Sequence, residues 1–330
     1  MTVVTGYAPT SGTLRPVSRS LPDPAPHEVL VEVRVAGICG SDLKALAAGT
    51  TGDMVAGHEG AGVVLAVGEQ VTTVAPGTEV LIYSYEGCRD CPSCARGEPK
   101  FCRSARATSV GRDGTWASHV LIAASSCLPI PSGMDSADAA VLACTGGTAA
   151  AAVLKAGDAI ALARGARALV VGAGPLGCAV AQLLHGCGVG VDATDLNAWR
   201  LAFGADRGWF NAIEAADDGA YSLVVETSGS GGGRQGAVRA GAHGATVVFV
   251  GLGASEQSLP VEAVIRRELR LIGTHFWTMG ALPEIVELYR RGGSRPSAVV
   301  SGEYSLAELP EACAAAPHVP GKLIVRLGGS

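Results

Sequence analysis

The sequence predicts an α/β protein with a β-rich first domain followed by a doubly wound parallel sheet. Three observations predict this. Residues 1–140 hold runs with strand-like alternation, set between Pro and Gly turns. From Ala168 onward, short apolar strands alternate with helices, as in a parallel sheet. The chain is 48% hydrophobic and only 17% charged over 330 residues, enough for about two buried cores.

The elements follow in order. Residues 29–35 alternate as a half-buried strand, and 61–67 form a second, more buried one. Pro22, Pro24, Pro26, Pro76-Gly77 and Pro131-Ser-Gly133 mark turns, and helical signal is sparse in this region. Near residue 135 the character changes: 135–143 reads as a capped helix and 148–154 as another. Residues 168–171 form a strand, followed by a glycine turn, a helix at 176–184 and a strand at 189–194. Strands at 223–225, 245–250 and 269–272 continue the series. Residues 228–233 read as a flexible loop, because they lack the Gly-Lys-Ser/Thr ending of a phosphate loop. A helix at 282–291 and a closing strand at 322–327 break the rhythm and return the chain to the first domain. The expected division is 1–144, 145–279 and a return segment 280–330.

Charge and leader signals exclude several classes. The net charge is −5 and no Lys/Arg-dense run occurs, which argues against nucleic acid or an anionic membrane as a main partner. The N-terminus lacks a basic segment followed by an apolar one, so no signal peptide is read. No run reaches the ~18 apolar residues of a membrane span; Thr145, Gly146, Gly147, Lys155 and Asp158 interrupt the Ala-rich stretch. Ten cysteines in such a chain fit a reducing, cytoplasmic setting in which thiols serve as metal ligands or core residues.

Cys88, Cys91, Cys94 and Cys102 follow a C-x2-C-x2-C-x7-C spacing, within a lobe of about residues 86–103. Short gaps let neighbouring thiolates converge on one ion, and the longer gap brings back the fourth. This reads as a closed, structural zinc site with no position for substrate.

Gly172-Ala-Gly174-Pro175-Leu176-Gly177 is a G-x-G-x-x-G after a strand and at the start of a helix, the context a dinucleotide requires. Its backbone N–H groups and helix N-terminus suit a pyrophosphate. Asp195 lies at the end of the next strand, where an acid holds the ribose hydroxyls; Asp192 competes but falls inside the strand. A carboxylate there would repel a 2′-phosphate, which favours NAD over NADP, although Arg200 could soften that preference.

Gly37-Ile-Cys39-Gly-Ser41-Asp42-Leu-Lys44, Gly57-His58-Glu59-Gly-Ala-Gly62 and Cys144 remain. Two thiolates, one imidazole and an open position make a catalytic zinc set. Singly, each is weak, since a lone buried Cys or His is usually structural. Together, in this order with the four-cysteine lobe, the glycine fingerprint and the terminal Gly321-Lys322-Leu-Ile-Val, they resemble the zinc-containing alcohol dehydrogenases of the medium-chain dehydrogenase/reductase superfamily. The tail leans towards the polyol and threonine dehydrogenase branch.

The resemblance implies a GroES-like catalytic domain and a Rossmann coenzyme domain, with the active site in the cleft between them. It implies two zinc ions per chain, NAD, and oxidation of a secondary alcohol, polyol or cyclitol to the ketone, or the reverse, by zinc-alkoxide hydride transfer. Cys39, His58 and Cys144 correspond to the catalytic zinc ligands, with Glu59 a possible exchange ligand, and Asp42 corresponds to the carboxylate orienting His58. Ser41 corresponds to the hydroxyl that starts the proton relay. Thr148, Leu176, Val250 and Lys322 are assigned to the cofactor site, and a homodimer or homotetramer is implied.

Three departures stand out. Lys44 replaces the histidine that ends the relay in many relatives, so it is either a relay lysine or a solvated one. The link between Cys39 and His58 is short, which would widen the substrate pocket. His275-Phe276-Trp277 is either a substrate wall or an aromatic core cluster. Two other readings remain: a non-catalytic dinucleotide-binding scaffold or sensor, and a zinc-free carbonyl or enoyl reductase. The first would be favoured by loss of Cys39, His58, Cys144 or Ser41, all of which are present, and the second is opposed by His58 and the four cysteines.

Overall fold

The computed structural model describes residues 2–253, 256 and 258–328, and the chain divides into two units. The first holds Met1–Cys144, Thr278–Gly280 and Val300–Ser330, and the second holds Thr145–Trp277 and Ala281–Val299.

The first unit opens with the hairpin β1 (Thr2–Thr10) and β2 (Thr13–Leu21), then β3 (Glu28–Gly37) and helix α1 (Gly40–Ala47). Strands β4 (Gly60–Val67), β5 (Glu79–Ile82) and β6 (Tyr85–Glu86) lead to the short helix α2 (Pro92–Ala95) inside the cysteine lobe. Strands β7 (Arg106–Thr108), β8 (Gly111–Arg112), β9 (His119–Ala123) and β10 (Cys127–Pro129) precede helix α3 (Ser136–Val141). Asp135 caps α3: its carboxylate accepts from the N–H groups of Ala137 and Asp138, both at 2.9 Å. A π-helical turn, Leu142–Gly146, follows directly. Helix α1 was not expected in this β-rich stretch. Its start is set by Asp42, whose Oδ2 accepts from Cys39 N–H at 3.2 Å, an acid well placed in a first turn.

The second unit carries α4 (Gly147–Ala156), α5 (Ala159–Arg164), β11 (Arg167–Val171), α6 (Pro175–Gly186), β12 (Gly190–Thr194), α7 (Ala198–Ala205), β13 (Asn211–Ala212) and β14 (Tyr221–Glu226). It continues with α8 (Gly231–Ala240), β15 (Gly241–Phe249), α9 (Val261–Arg266), β16 (Arg270–Gly273) and α10 (Leu282–Arg291). The sheet is parallel in the order β13-β12-β11-β14-β15-β16, the 3-2-1-4-5-6 arrangement of a doubly wound dinucleotide fold. Central β14 is buried along nearly its whole length, whereas edge strand β16 is largely exposed.

The chain ends with β17 (Val300–Ser305), α11 (Leu309–Ala315) and β18 (Lys322–Arg326), back in the first unit. Its main sheet runs β10-β5-β4-β3-β18-β17, with β9 also paired to β3. Val29, Val31, Val33, Trp116, Ile122 and Val325 form part of the core on this sheet.

Three expectations need correction. The return segment is interrupted: Thr278–Gly280 already belongs to the first unit, but Ala281–Val299 goes back to the second before the chain returns at Val300. On α10, Ile285 and Tyr289 share one face at i, i+4 and are buried, and the Tyr289 hydroxyl donates to the Gly146 carbonyl at 3.2 Å. Residues 228–233 are not all loop, because Gly231–Gly233 open α8, with Ser230 Oγ accepting from Gly233 N–H at 3.0 Å. Thr145–Gly147 do not break the helix: Ser136–Ala156 is a continuous run of 21 residues, long and apolar enough to span a membrane, but it is mostly buried inside the protein.

Candidate active site

Local geometry brings Cys39, His58, Glu59 and Cys144 together, with their ligand atoms all within 4.8 Å of one another. Cys39 caps α1 just after β3, and His58-Glu59 immediately precedes β4. Gly37 is glycine because a Cβ there would lie 1.9 Å from Glu59 Oε2. Gly57 has φ +86°, and a Cβ would strike the buried Trp116 ring at 2.3 Å. The backbone of the histidine segment is clamped. Ser84 Oγ donates to the His58 carbonyl at 2.7 Å, and Thr115 Oγ1 and the Gly37 N–H donate to the Glu59 carbonyl, each at 3.0 Å. Cys144 sits in the π-helical turn, an irregularity frequent at functional sites.

Asp42 is buried, and its Oδ1 lies 2.8 Å from His58 Nδ1. A proton on Nδ1 held by Asp42 leaves Nε2 with its lone pair free to ligate. Ser41 Oγ donates to Cys39 Sγ at 3.2 Å and is exposed, as is Lys44 on α1. Lys322, assigned above to the cofactor, lies on Glu59: Nζ is 2.6 Å from Oε1 and 2.5 Å from Oε2, with both side chains buried. No spacing signal joined residues 263 positions apart. The available clue was chemical, since a lysine inside an apolar strand needs an anionic partner.

Burial and close approach make the four donors perturb one another strongly. The Cys144 thiol donates to Cys39, which holds Cys39 well below the ordinary thiol range; burial opposes this and His58 reinforces it. The same bond, with burial, raises Cys144. Burial would lower His58, but Asp42 and Cys39 outweigh it and raise the imidazole. Burial lifts Glu59 to about 7 against the attraction of Lys322.

The second cluster is Cys88, Cys91, Cys94 and Cys102, none of them in a disulfide. A tetrahedral ion with bonds of ~2.3 Å to sulfur requires S···S edges of ~3.8 Å. Cys91–Cys94 and Cys88–Cys94 are 3.6 and 4.0 Å apart, so the lobe fits zinc. Backbone N–H groups of Asp90 and Cys91 stabilise the Cys88 thiolate and bring it down to about 6.

The glycine turn meets three distinct requirements. Gly172 has φ +98°, Gly174 has open space where a Cβ would point, and a Cβ on Gly177 would lie 1.8 Å from Gly172 O. These are the tight turn, the backbone approach to a pyrophosphate and the close helix–strand packing of a dinucleotide site. Pro175 starts α6, and the N-cap Gly174 makes no side-chain cap, so the helix N-terminus is left for a ligand. Asp195 stands at the end of β12: its Oδ2 accepts from Ala173 N–H and its Oδ1 from Asn197 N–H, both at 2.8 Å. Asp192 is engaged elsewhere, bound by Arg167 Nε at 2.6 Å and the Tyr221 hydroxyl at 3.1 Å. Arg200 lies 4.9 Å over the Trp199 ring. Thr148 is buried on α4, Leu176 is half-buried on α6, and Val250 N–H donates to the Glu226 carbonyl. Phe276 and Trp277 are buried and stacked at 6.0 Å, which favours the core reading of that aromatic cluster; His275 is exposed.

Residues 25–132 match the alcohol dehydrogenase GroES-like domain, and residues 175–291 match the zinc-binding dehydrogenase domain. D-xylulose reductase A of Aspergillus niger is 32% identical over 303 residues, covering 84% of this chain and 83% of that protein. The chain belongs to the zinc-containing alcohol dehydrogenase family. L-galactonate-5-dehydrogenase of Escherichia coli is 27% identical over 308 residues, with 89% of each chain covered. The structure of acetophenone reductase from Geotrichum candidum in complex with NAD shares the fold, with a TM-score of 0.87 at 23% identity over 98% of this chain and 97% of that one. The dehydrogenase is an oxidoreductase of alcohols that uses zinc and NAD(P), on a GroES-like unit joined to a Rossmann unit.

Proposed function

We propose that this dehydrogenase oxidises a secondary alcohol of a sugar-derived polyol, a cyclitol or a related hydroxy acid to the ketone, or runs the reverse reduction, with NAD. The observation that carries the reading is the convergence of Cys39, His58, Glu59 and Cys144, buttressed by Asp42 and Lys322. Relatives named for D-xylulose and L-galactonate support the substrate class.

Cys39, His58 and Cys144 would hold the catalytic ion, and the four-cysteine lobe a structural one. When bound, zinc supplies Lewis acidity to the substrate oxygen. Asp42 fixes the tautomer and ring angle of His58 through Nδ1. Ser41 presents an exposed hydroxyl beside Cys39 and takes the substrate proton towards solvent. Glu59 stands beside the ligands as a buried carboxylate in the grip of Lys322, the arrangement of an exchange ligand held in reserve. Asp195 offers its carboxylate at the end of β12 and disfavours a 2′-phosphate.

Edge strand β16 and α9 expose Leu271, Val261 and Ile265, a surface suited to pairing two copies through their edges, as a dimer or within a tetramer. Ten thiols with none in a disulfide suit a reducing, cytoplasmic compartment.

The test is a panel of polyols, cyclitols and sugar acids with NAD+ and NADP+. We expect NADH formation from at least one secondary alcohol and a kcat/KM at least about tenfold higher with NAD+ than with NADP+. Two bound zinc ions with no turnover across the panel would refute the reading and favour a dinucleotide-binding scaffold.

A further inference from the structure

Glu226 is a fully buried carboxylate outside the metal site, at the C-terminal end of central strand β14. In the sheet it pairs with Val171, the residue just before the glycine turn. Strands β11 and β14 are parallel neighbours from which the strand order runs outward in opposite directions, so their ends flank the crevice where such folds take a dinucleotide.

The carboxylate is committed to the chain that follows it. Oε1 accepts from Ser228 Oγ at 2.5 Å and from Gly229 N–H at 2.8 Å. Those two bonds curl residues 227–229 into a tight turn, with Gly229 at φ +68°. Oε2 is buried without a hydrogen-bond partner among the described residues. Leaving a buried acceptor unpaired is costly, and a hydroxyl or amide could cap the same turn at lower cost.

The turn it builds is wedged against the glycine fingerprint. Thr227 Oγ1 donates to the carbonyls of Val171 at 3.1 Å and Gly172 at 2.8 Å. A Cβ on Gly172 would meet Ser228 N at 2.9 Å, and one on Gly177 would meet Thr227 Oγ1, also at 2.9 Å. The turn after β15 stacks on the other side: a Cβ on Gly251 would lie 2.2 Å from Gly229 N, and one on Gly253 2.0 Å from Gly229 O. The backbone of Glu226 joins them too, since its carbonyl accepts from Val250 and Gly251 N–H. Three strand-end turns therefore meet at residues 227–229, the turn that the Glu226 side chain holds, with no room for a Cβ at the glycines facing it.

We propose that Glu226 is a positioning residue for the dinucleotide: by clamping residues 227–229 against Gly172 it sets the height of the phosphate-binding turn, and so cofactor affinity, without touching the cofactor. The proposal rests on the assignment of the glycine turn to NAD.

The experiment measures NADH dissociation constants by fluorescence titration of the zinc-loaded protein, together with kcat and KM for NAD+. Glu226→Ala should weaken NADH binding at least about tenfold and raise KM for NAD+ in parallel, with kcat at saturating NAD+ within about threefold of wild type. Glu226→Gln, whose amide oxygen can accept both bonds, should restore affinity to within about threefold. Ser228→Ala, at an exposed position, removes one bond without threatening the fold and should weaken binding about threefold. Wild-type affinity in both the Ser228→Ala and Glu226→Ala variants would overturn the proposal, as would a loss of thermal stability with unchanged NADH affinity. Absence of NADH binding by the wild type would overturn the cofactor assignment itself, and the proposal with it.

Discussion

Replacing Lys322 by Met should destabilise the first unit by about 3–5 kcal/mol, because it strands a buried carboxylate. Lys322 is 2% exposed and Glu59 0%, and their contacts of 2.5 and 2.6 Å leave no room for water between the charges. Methionine keeps the apolar stem and removes only the ammonium. For a unit of this size, each kcal/mol shifts the melting temperature by roughly 2–4 °C, so a fall of roughly 6–20 °C is expected. A dication at Cys39 and His58 offsets part of the loss, which places the zinc-loaded protein near the low end. Removing both charges is a different perturbation. Glu59→Gln combined with Lys322→Met should recover most of the stability, since a buried pair replaced as a pair is close to neutral. Thermal and urea unfolding of wild type, both single variants and the double variant closes the cycle. A loss under about 1 kcal/mol in Lys322→Met, or a double variant as unstable as that single one, would refute the reasoning.

Other outcomes are equally specific. Metal analysis should give two zinc ions per chain; Cys94→Ser should lose one and lower stability, whereas Cys144→Ser should abolish turnover while leaving the four-cysteine ion and the fold intact. Asp42→Asn should cost about 10–100-fold in zinc affinity or activity, read by competition with a chelator, because Nδ1 of His58 loses its charged partner. Asp195→Ser should bring kcat/KM for NADP+ closer to that for NAD+; unchanged preference would exclude Asp195 as the selector. Burial pushes the Asp192 carboxyl up, but hydrogen bonds from Arg167 and its charge outweigh this and hold it below its ordinary value. Its stabilisation is therefore present above the unfolded value of ~3.8 and lost as pH falls through the lower folded value. Asp192→Asn should flatten acid unfolding in that window.

Much of the fold was legible because burial leaves a period in the sequence. The alternation of short apolar strands with helices gave the parallel sheet, and the start of α3 at Asp135 was readable because an aspartate before an Ala-rich run is a cap. The errors share a cause. Helix α1 is only eight residues long, too short for a helical period to repeat, and α10 is assigned to the second unit by the packing of Ile285 and Tyr289, which no boundary signal announces. Gly231–Gly233 look like a linker in sequence but form a helix start, because Ser230 and the turn clamped by Glu226 fix an otherwise floppy tract.

By itself, the sequence determined the sites whose donors lie close along the chain. Four thiols within fifteen positions can reach one ion with only local folding, and three glycines within six, between a strand and a helix, permit a tight turn, so short spacing alone records both sites. Tertiary structure decided what long-range packing brings together: Lys322 on Glu59, Ser84 and Thr115 on the His58-Glu59 backbone, and Thr227 on the Val171 and Gly172 carbonyls. These contacts depend on which strand lies beside which, so the chain carries no spacing that records them. Each becomes visible only when a buried charge or an open carbonyl is found with its partner.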